Sequence, residues 1–571
     1  MPAASRKVRV AVLAMALLSA VAARLVARFA LGDVPHVMDE MAYIFEAKLM
    51  ASGHVSGPVV LPRAAFNMWF IDDRGARFGI FPPGWPAVLA LGIRLGIAHW
   101  INPLLHLGTV ILVGRAGARL GGPRLELAAA ALYAASPQAV LLAASTMSHS
   151  LVALGGSVVT LAIVALLEDE APKRALLVAA GAAVGVAIVT RPLCAVVLGV
   201  PLVVVVLLRA RRSLPLVLGA TVPFLVALGA FNRALTGAVL RFPQAAYFDE
   251  HIAPANVPFF TYGKGCNALG FGRACDHTVR GAVHTIQSAL TDAGDNLTAW
   301  GLLVAGPVVL VGVSLAVVQR STRLRAMWLL APVLLAVLLY GLYWQAGVCY
   351  GARFYHAALP ALVVVVALGL GWFVRRPGQV GADDSNVPGG RAYVVALACA
   401  FLFDAGGYVL ALRELTSWSW WGTDDRFARV VDRWRDGRAL VMVAFGPDDV
   451  KNPTLLVTGS AGSNGTWLLG IRALGALGQN SPFIDDGEIA FAKFHPALVN
   501  ELAARFPDRS LWLYTAWADR SKDVLERWDP ARFAGHSYRR PPDNFDGFRV
   551  SAPLALPATL LREPTDEGWP P

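Results

Sequence analysis

Long apolar stretches divided by short basic connectors dominate the first 412 residues. The runs fall near 8–31, 99–119, 125–145, 147–167, 174–190, 192–208, 214–232, 297–318, 325–344, 354–374 and 391–412. Each has the roughly 17 to 25 residues a helix needs to cross a hydrocarbon layer. The pattern therefore predicts a mainly α, polytopic membrane protein with about eleven transmembrane helices. Arg6, Lys7 and Arg9 come before the apolar core of the first run, but Arg24 and Arg28 follow that core without a clear small-residue cleavage site, so it is expected to stay as a helix.

Residues 38–52 break the pattern. Met38, Ala42, Phe45 and Leu49 form one apolar stripe at helical spacing, with Asp39, Tyr43 and Glu46 beside it. This predicts an amphipathic helix lying on the membrane surface. In "NMWFIDDRGARFGIFPPGWP" an Asp-Arg-Gly turn between aromatic residues predicts a short hairpin. Residues 86–97 are too short to span and read as interfacial or re-entrant, and "RPGQVGADDSNVPGG" reads as a polar linker before the last span.

Past residue 413 the runs "ALVMVAF", "EIAFAKF" and "SLWLYTA" have strand length, whereas "FHPALVNELAARF" has helical period. A small α/β domain is expected over 413–571, ending in a loose Pro-rich tail. The membrane domain then covers 1–412, with long loops at 32–98 and 233–296.

Composition fits this division. The chain is 56% hydrophobic and 16% charged, with a net charge of +11 and a mean hydropathy of +0.53. Residues 413–571 hold 19 Lys and Arg against 21 Asp and Glu, so the basic excess, +13, belongs to the membrane part. It reads as orientation signals and contact with anionic membrane lipids, not nucleic acid. Arg115, Arg119 and Arg124, Lys173 and Arg174, Arg209, Arg211 and Arg212, Arg320, Arg323 and Arg325, and Arg375 and Arg376 all join the N-terminal basic group on one face. By the positive-inside rule that face is cytoplasmic. This predicts an inner (plasma) membrane protein with a cytoplasmic N-terminus and an extracytoplasmic C-terminal domain. Cys266 and Cys275 share one extracytoplasmic loop, where an oxidising compartment would allow a disulfide. Cys399 reads as a core residue, and no zinc-binding spacing is present.

Asp39 and Glu40 follow the first span directly. A sheltered carboxylate at that level can take a proton from a hydroxyl as its oxygen attacks an electrophilic carbon. The alternative is that Asp39 caps the surface helix and Glu40 faces its positive end. Arg353, Tyr350, Arg191 and His149 also sit at extracytoplasmic span ends, where ionisable groups tend to mark substrate pathways. Arg353 and Arg191 can hold a phosphate through their planar donors. Otherwise Arg353 anchors a helix end by snorkelling, Arg191 pairs with carbonyls at a helix break, and His149 is a satisfied core residue. An acid with cations at one membrane level suits a lipid-phosphate sugar, whose phosphate leaves with negative charge.

The stretches "MDEMAYIFEAKLMASG", "FPPGWPAVLALG", "MSHS", "VTRPL", "FNRALTGAVLRFP", "LGFG" and "YGARFYHAALPAL" together resemble the GT-C membrane glycosyltransferases, specifically the bacterial group related to glycosyltransferase family 39. That group includes protein mannosyltransferases, aminoarabinose transferases and rhizobial galacturonosyltransferase-like proteins. The resemblance covers about residues 1–412. It implies an inverting hexosyl- or pentosyltransferase using a polyprenyl-phosphate sugar donor and a glycan, lipid or protein acceptor. It matches Asp39 to the general base, with Glu40 beside it, and Arg353 to the donor phosphate. Family members vary in whether a divalent metal assists, and beyond Asp39 and Glu40 this sequence supplies no clear ligand set. The 233–296 loop is expected to cover the site or bind acceptor. Two further readings stand: a transporter or flippase of polyprenyl-linked sugars, and a non-catalytic polysaccharide-assembly scaffold.

Overall fold

The computed structural model describes residues 6–168, 173–251, 263–264, 273–274, 286–343, 347, 350–374, 388–418, 431–433, 435, 437–445, 475–516 and 524–533. Cys266, Cys275, residues 252–262, 265–272 and 275–285 of the 233–296 loop, the 376–387 linker segment and the C-terminal tail lie outside these residues. All eleven apolar runs are helical where described. Among the described residues, six helices are long and apolar enough to cross a membrane, or up to eight if each bent pair is one span. The difference from eleven lies in how runs join. Pro192–Thr236 contains two of them, turning at Arg211–Ser213, and Arg174–Thr190 is a shorter apolar helix. Ile101–Ala135 contains the 99–119 run and part of the next, divided where Gly122 takes φ +72 before Pro123.

The 297–318 run is not one straight span. Ala289–Leu303 and Val308–Val318 meet at 102°. Ala305 and Gly306 both have positive φ at the bend, Pro307 follows them, and Asp404 Oδ1 accepts from the Ala305 N–H at 2.7 Å. A helix interrupted inside an apolar layer exposes backbone donors, and Asp404 satisfies one of them.

The predicted hairpin is present as β1 (Ile71–Asp72) and β2 (Phe78–Gly79), paired antiparallel. Gly84–Arg94 forms the short helix after Pro82-Pro83. Residues Gly263–Lys264 (β3) and Arg273–Ala274 (β4) pair in parallel. The C-terminal unit is a four-stranded sheet built from β5 (Ala439–Phe445), β6 (Ile489–Lys493), β7 (Ser510–Ala516) and β8 (Val524–Arg527). Its order is β6-β5-β7-β8, with β8 alone antiparallel.

One expectation fails. The helix Met38–Ala51 does not lay its apolar stripe on the membrane surface. Met41, Ala42, Phe45 and Leu49 pack into a single core with Leu440, Met442, Ala490, Phe494 and Leu513 of the C-terminal sheet. Its other side, through Tyr43 and Ala47, packs on Ala27 and Leu31 at the end of the first membrane helix and on Trp85 and Leu89 of the short helix Gly84–Arg94. The sheet domain offers this stripe a close-packed protein surface, and burial there removes the same apolar area from water. The helix is thus clamped between membrane part and sheet.

Lys48 reinforces the clamp, donating through Nζ to the carbonyls of Gln479 (3.0 Å) and Asn480 (3.1 Å). Burial pushes its ammonium down to about 8 from the usual 10.5. Between those values the unfolded chain binds the proton that the folded chain has released, so stability rises with pH across the window. In thermal unfolding in detergent, the wild type is expected to gain on Lys48→Met as pH climbs from 8 towards 10. Parallel profiles would contradict this assignment.

Candidate active site

The site forms where the start of Met38–Ala51 meets the ends of four membrane segments. Glu40, 1% exposed, sits in the helix's first turn and fills both carboxylate oxygens. Oε2 accepts from the backbone N–H groups of His36 (2.9 Å) and Val37 (3.1 Å) and from the Tyr350 hydroxyl (3.1 Å). Oε1 accepts from the Thr146 N–H (2.8 Å) and hydroxyl (3.0 Å). Reaching back to the N-cap from the third helical position is how a carboxylate satisfies orphan helix donors. The cap expected of Asp39 is therefore made by Glu40.

Asp39 faces the other way. Its Oδ2 accepts from Arg353 Nη1 at 3.1 Å, the arginine side chain being 4% exposed and the carboxylate 17%. Arg353 is delivered by a tight loop. Gly347, Tyr350 and Gly351 all have positive φ, which is costly for a tyrosine, and Gln138 ties the loop down by accepting from the Ala352 N–H (3.0 Å) and donating to its carbonyl (3.1 Å). A Cβ at Gly351 would stand 2.7 Å from Gln138 Oε1, so close approach as well as backbone angle calls for glycine there.

Arg191 arrives by a different route. Pro192 opens the helix Pro192–Ala210 and disfavours helical backbone for Arg191, which breaks the helix at φ −146, ψ 87. Its Nη1 donates to Ser148 Oγ at 3.4 Å, and no carboxylate lies within 4 Å of it among the described residues. Ser148 Oγ also meets the Tyr43 hydroxyl at 3.3 Å. Burial pushes the Tyr43 phenol up to about 12, so it works as a neutral hydroxyl. Next to Ser148, His149 is 1% exposed with neither ring nitrogen hydrogen-bonded, and Nε of both Arg191 and Arg353 is likewise buried without a partner. Buried polar atoms are normally paired, so this cluster of unpartnered atoms makes the place a candidate ligand site.

Glu46, one further turn along from Tyr43, accepts from the Phe81 N–H at 3.0 Å and leaves Oε2 unpaired. Burial pushes its carboxyl well above the usual range. Gly79 makes room for it, since a Cβ there would meet Glu46 Oε1 at 2.2 Å.

The seven residues singled out in the sequence thus converge: Asp39 with Arg353, Glu40 with Tyr350, and Tyr43, His149 and Arg191 around Ser148. Gln138, Thr146, Ser148, Phe354 and Tyr340 complete the surroundings and were not anticipated. Gln138 was visible only as one polar residue in an apolar run, and Thr146 and Ser148 only within "TMSHS". No group of three or more His, Cys, Asp or Glu suited to a metal occurs among the described residues. Glu40 is already committed to five donors, which a cation would have to displace, so Asp39 is the carboxylate with room for one. The pair does not make a metal-binding set.

No family model and no curated protein matches the chain. Among solved structures, ArnT from Cupriavidus metallidurans bound to undecaprenyl phosphate is 14% identical, with 87% of this chain and 92% of that chain covered and a TM-score of 0.48. The apo state of the same protein gives 13%, 84%, 88% and 0.43. The archaeal oligosaccharyltransferase AglB from Archaeoglobus fulgidus, in complex with an inhibitory peptide and a dolichol-phosphate, gives 13%, 76%, 62% and 0.38. ArnT and AglB are GT-C membrane glycosyltransferases, the class that the sequence resembles.

Proposed function

We propose that this protein is an inverting glycosyltransferase that moves a hexosyl or pentosyl group from a polyprenyl-phosphate donor to an acceptor hydroxyl on a glycan, lipid or protein, at the extracytoplasmic membrane face. One observation carries the reading: a carboxylate on one arginine, Asp39 with Arg353, beside a second arginine, Arg191, with no carboxylate within 4 Å among the described residues. A negative charge brought to this place gives Arg191 the anionic partner it lacks among the described residues. A phosphodiester on a membrane-bound tail supplies that charge at that depth.

In the proposed step the acceptor oxygen attacks the anomeric carbon and passes its proton to Asp39. The bond from that carbon to the phosphate oxygen breaks, and its electron pair leaves with the lipid phosphate. Arg191 and Arg353 stabilise the added charge as it develops. When the donor enters, its phosphate competes for Arg353 and loosens that arginine's hold on Asp39, so the base is released by the substrate it serves. Glu40 positions the turn that carries Asp39, while Tyr43 and His149 offer neutral hydrogen bonds to phosphate or sugar. A single in-line displacement of the lipid phosphate by the acceptor oxygen gives inversion.

The test is transfer of label from a panel of synthetic polyprenyl-phosphate sugars by purified protein, with membrane extract as acceptor. Labelled product together with free polyprenyl phosphate is expected from one donor. Movement of sugar-lipid across vesicles without product would favour transport instead. Arg191→Gln is expected to weaken polyprenyl phosphate binding by roughly 10- to 100-fold, the range of a charge-assisted contact. Unchanged affinity would remove Arg191 from the phosphate site.

A further inference from the structure

Both arginines of the site lean on one aromatic ring. The Arg353 guanidinium carbon lies 5.1 Å from the Phe354 ring centroid and that of Arg191 lies 5.3 Å from it. Phe354 is 5% exposed, and its ring is held on several sides. Tyr340 stacks on it at 4.8 Å and 15°, and Tyr343 meets it edge-on at 5.6 Å. The Tyr340 hydroxyl lies 3.2 Å from Cys194 Sγ, on the helix that begins just after Arg191. Gly347, at φ +68, closes over the ring so tightly that a Cβ would stand 2.1 Å from a ring carbon. The ring therefore cannot swing away without moving the loop that carries Arg353.

Two like charges set near one ring repel each other, and among the described residues only one of them has a carboxylate within 4 Å. An aromatic face carries negative potential and attracts guanidinium groups within about 6 Å of its centroid. Unlike a second carboxylate, it offsets the cations without competing for their hydrogen-bond donors, which stay open to an anion.

We infer that Phe354, backed by Tyr340, is a positioning residue that holds Arg191 and Arg353 as a paired anion clamp for the donor phosphate. The inference rests on the phosphate reading of the site given above. It assigns the ring an electrostatic role in addition to packing, and the two roles separate experimentally.

The probe is polyprenyl phosphate itself, with its affinity for the purified full-length protein measured in detergent. Fluorinated phenylalanines placed at 354 keep the ring's shape while draining its negative face stepwise. Affinity is expected to fall with each added fluorine, to about tenfold weaker with three. Phe354→Tyr should bind close to wild type, and Phe354→Met, which keeps bulk without a π face, should lose at least as much as the trifluoro ring. Arg191→Gln separates the two layers of the argument. A flat fluorine series beside a weakened Arg191→Gln overturns the aromatic role and leaves the phosphate site intact. If wild type and Arg191→Gln bind alike, or the wild type does not bind, the phosphate reading falls and the clamp falls with it.

Discussion

Glu40→Ala is expected to unfold the turn at the head of the site, with a loss of about 3 to 5 kcal/mol, the range seen when a buried charged group is taken from its partners. Five donors converge on this side chain, two from the backbone ahead of the helix, two from Thr146 and one from Tyr350. Alanine leaves them buried without acceptors. Glu40→Gln is a sharper version, because it keeps the shape but replaces one oxygen with an NH2 group. Both oxygens accept, so either amide orientation sets donor against donor. Both variants should lower the denaturation midpoint in detergent, with Ala lower than Gln. A midpoint unchanged in both would mean that the carboxylate does not hold this junction.

Asp39→Asn is expected to behave in the opposite way, losing transfer by on the order of 10³-fold while staying folded. Asp39 makes no cap, and among the described residues its ion-pair partner is Arg353. An asparagine oxygen can still accept from that guanidinium, so the fold keeps the contact. What it cannot do is take a proton from an attacking hydroxyl at neutral pH. Donor phosphate binding should survive, since Arg191 and Arg353 remain. A kcat loss without a matching rise in KM for the donor is the signature of a group needed in the transition state. Comparable losses in both would point to misplacement of Arg353 instead.

Much of this architecture is legible along the chain. The membrane runs, the hairpin at Ile71–Gly79, the strands of the C-terminal sheet and the acidic pair after the first span all announce themselves through local periodicity and composition. What local pattern does not carry is which surface an apolar stripe meets. The helix Met38–Ala51 has the pattern of a membrane-surface helix, and its partner instead lies some 400 residues away in sequence, in the sheet around Leu440 and Ala490. Two adjacent carboxylates also look alike on paper. They separate only because helical geometry points Glu40 back at its own N-terminus and Thr146, while Asp39 points at Arg353, 314 positions on. Phe354 was hidden for a similar reason: nothing in "YGARFYHAALP" says that Arg191, from another helix, rests on the same ring.

The central claim is that Asp39 is the base of a transfer from lipid phosphate. It is tested most directly by single-turnover transfer from one radiolabelled polyprenyl-phosphate sugar, using wild type and Asp39→Asn at saturating donor, with bound donor counted in the same samples. Equal donor occupancy, with product formed by the wild type alone, is the predicted result. Product formed by Asp39→Asn at the wild-type rate would contradict the account.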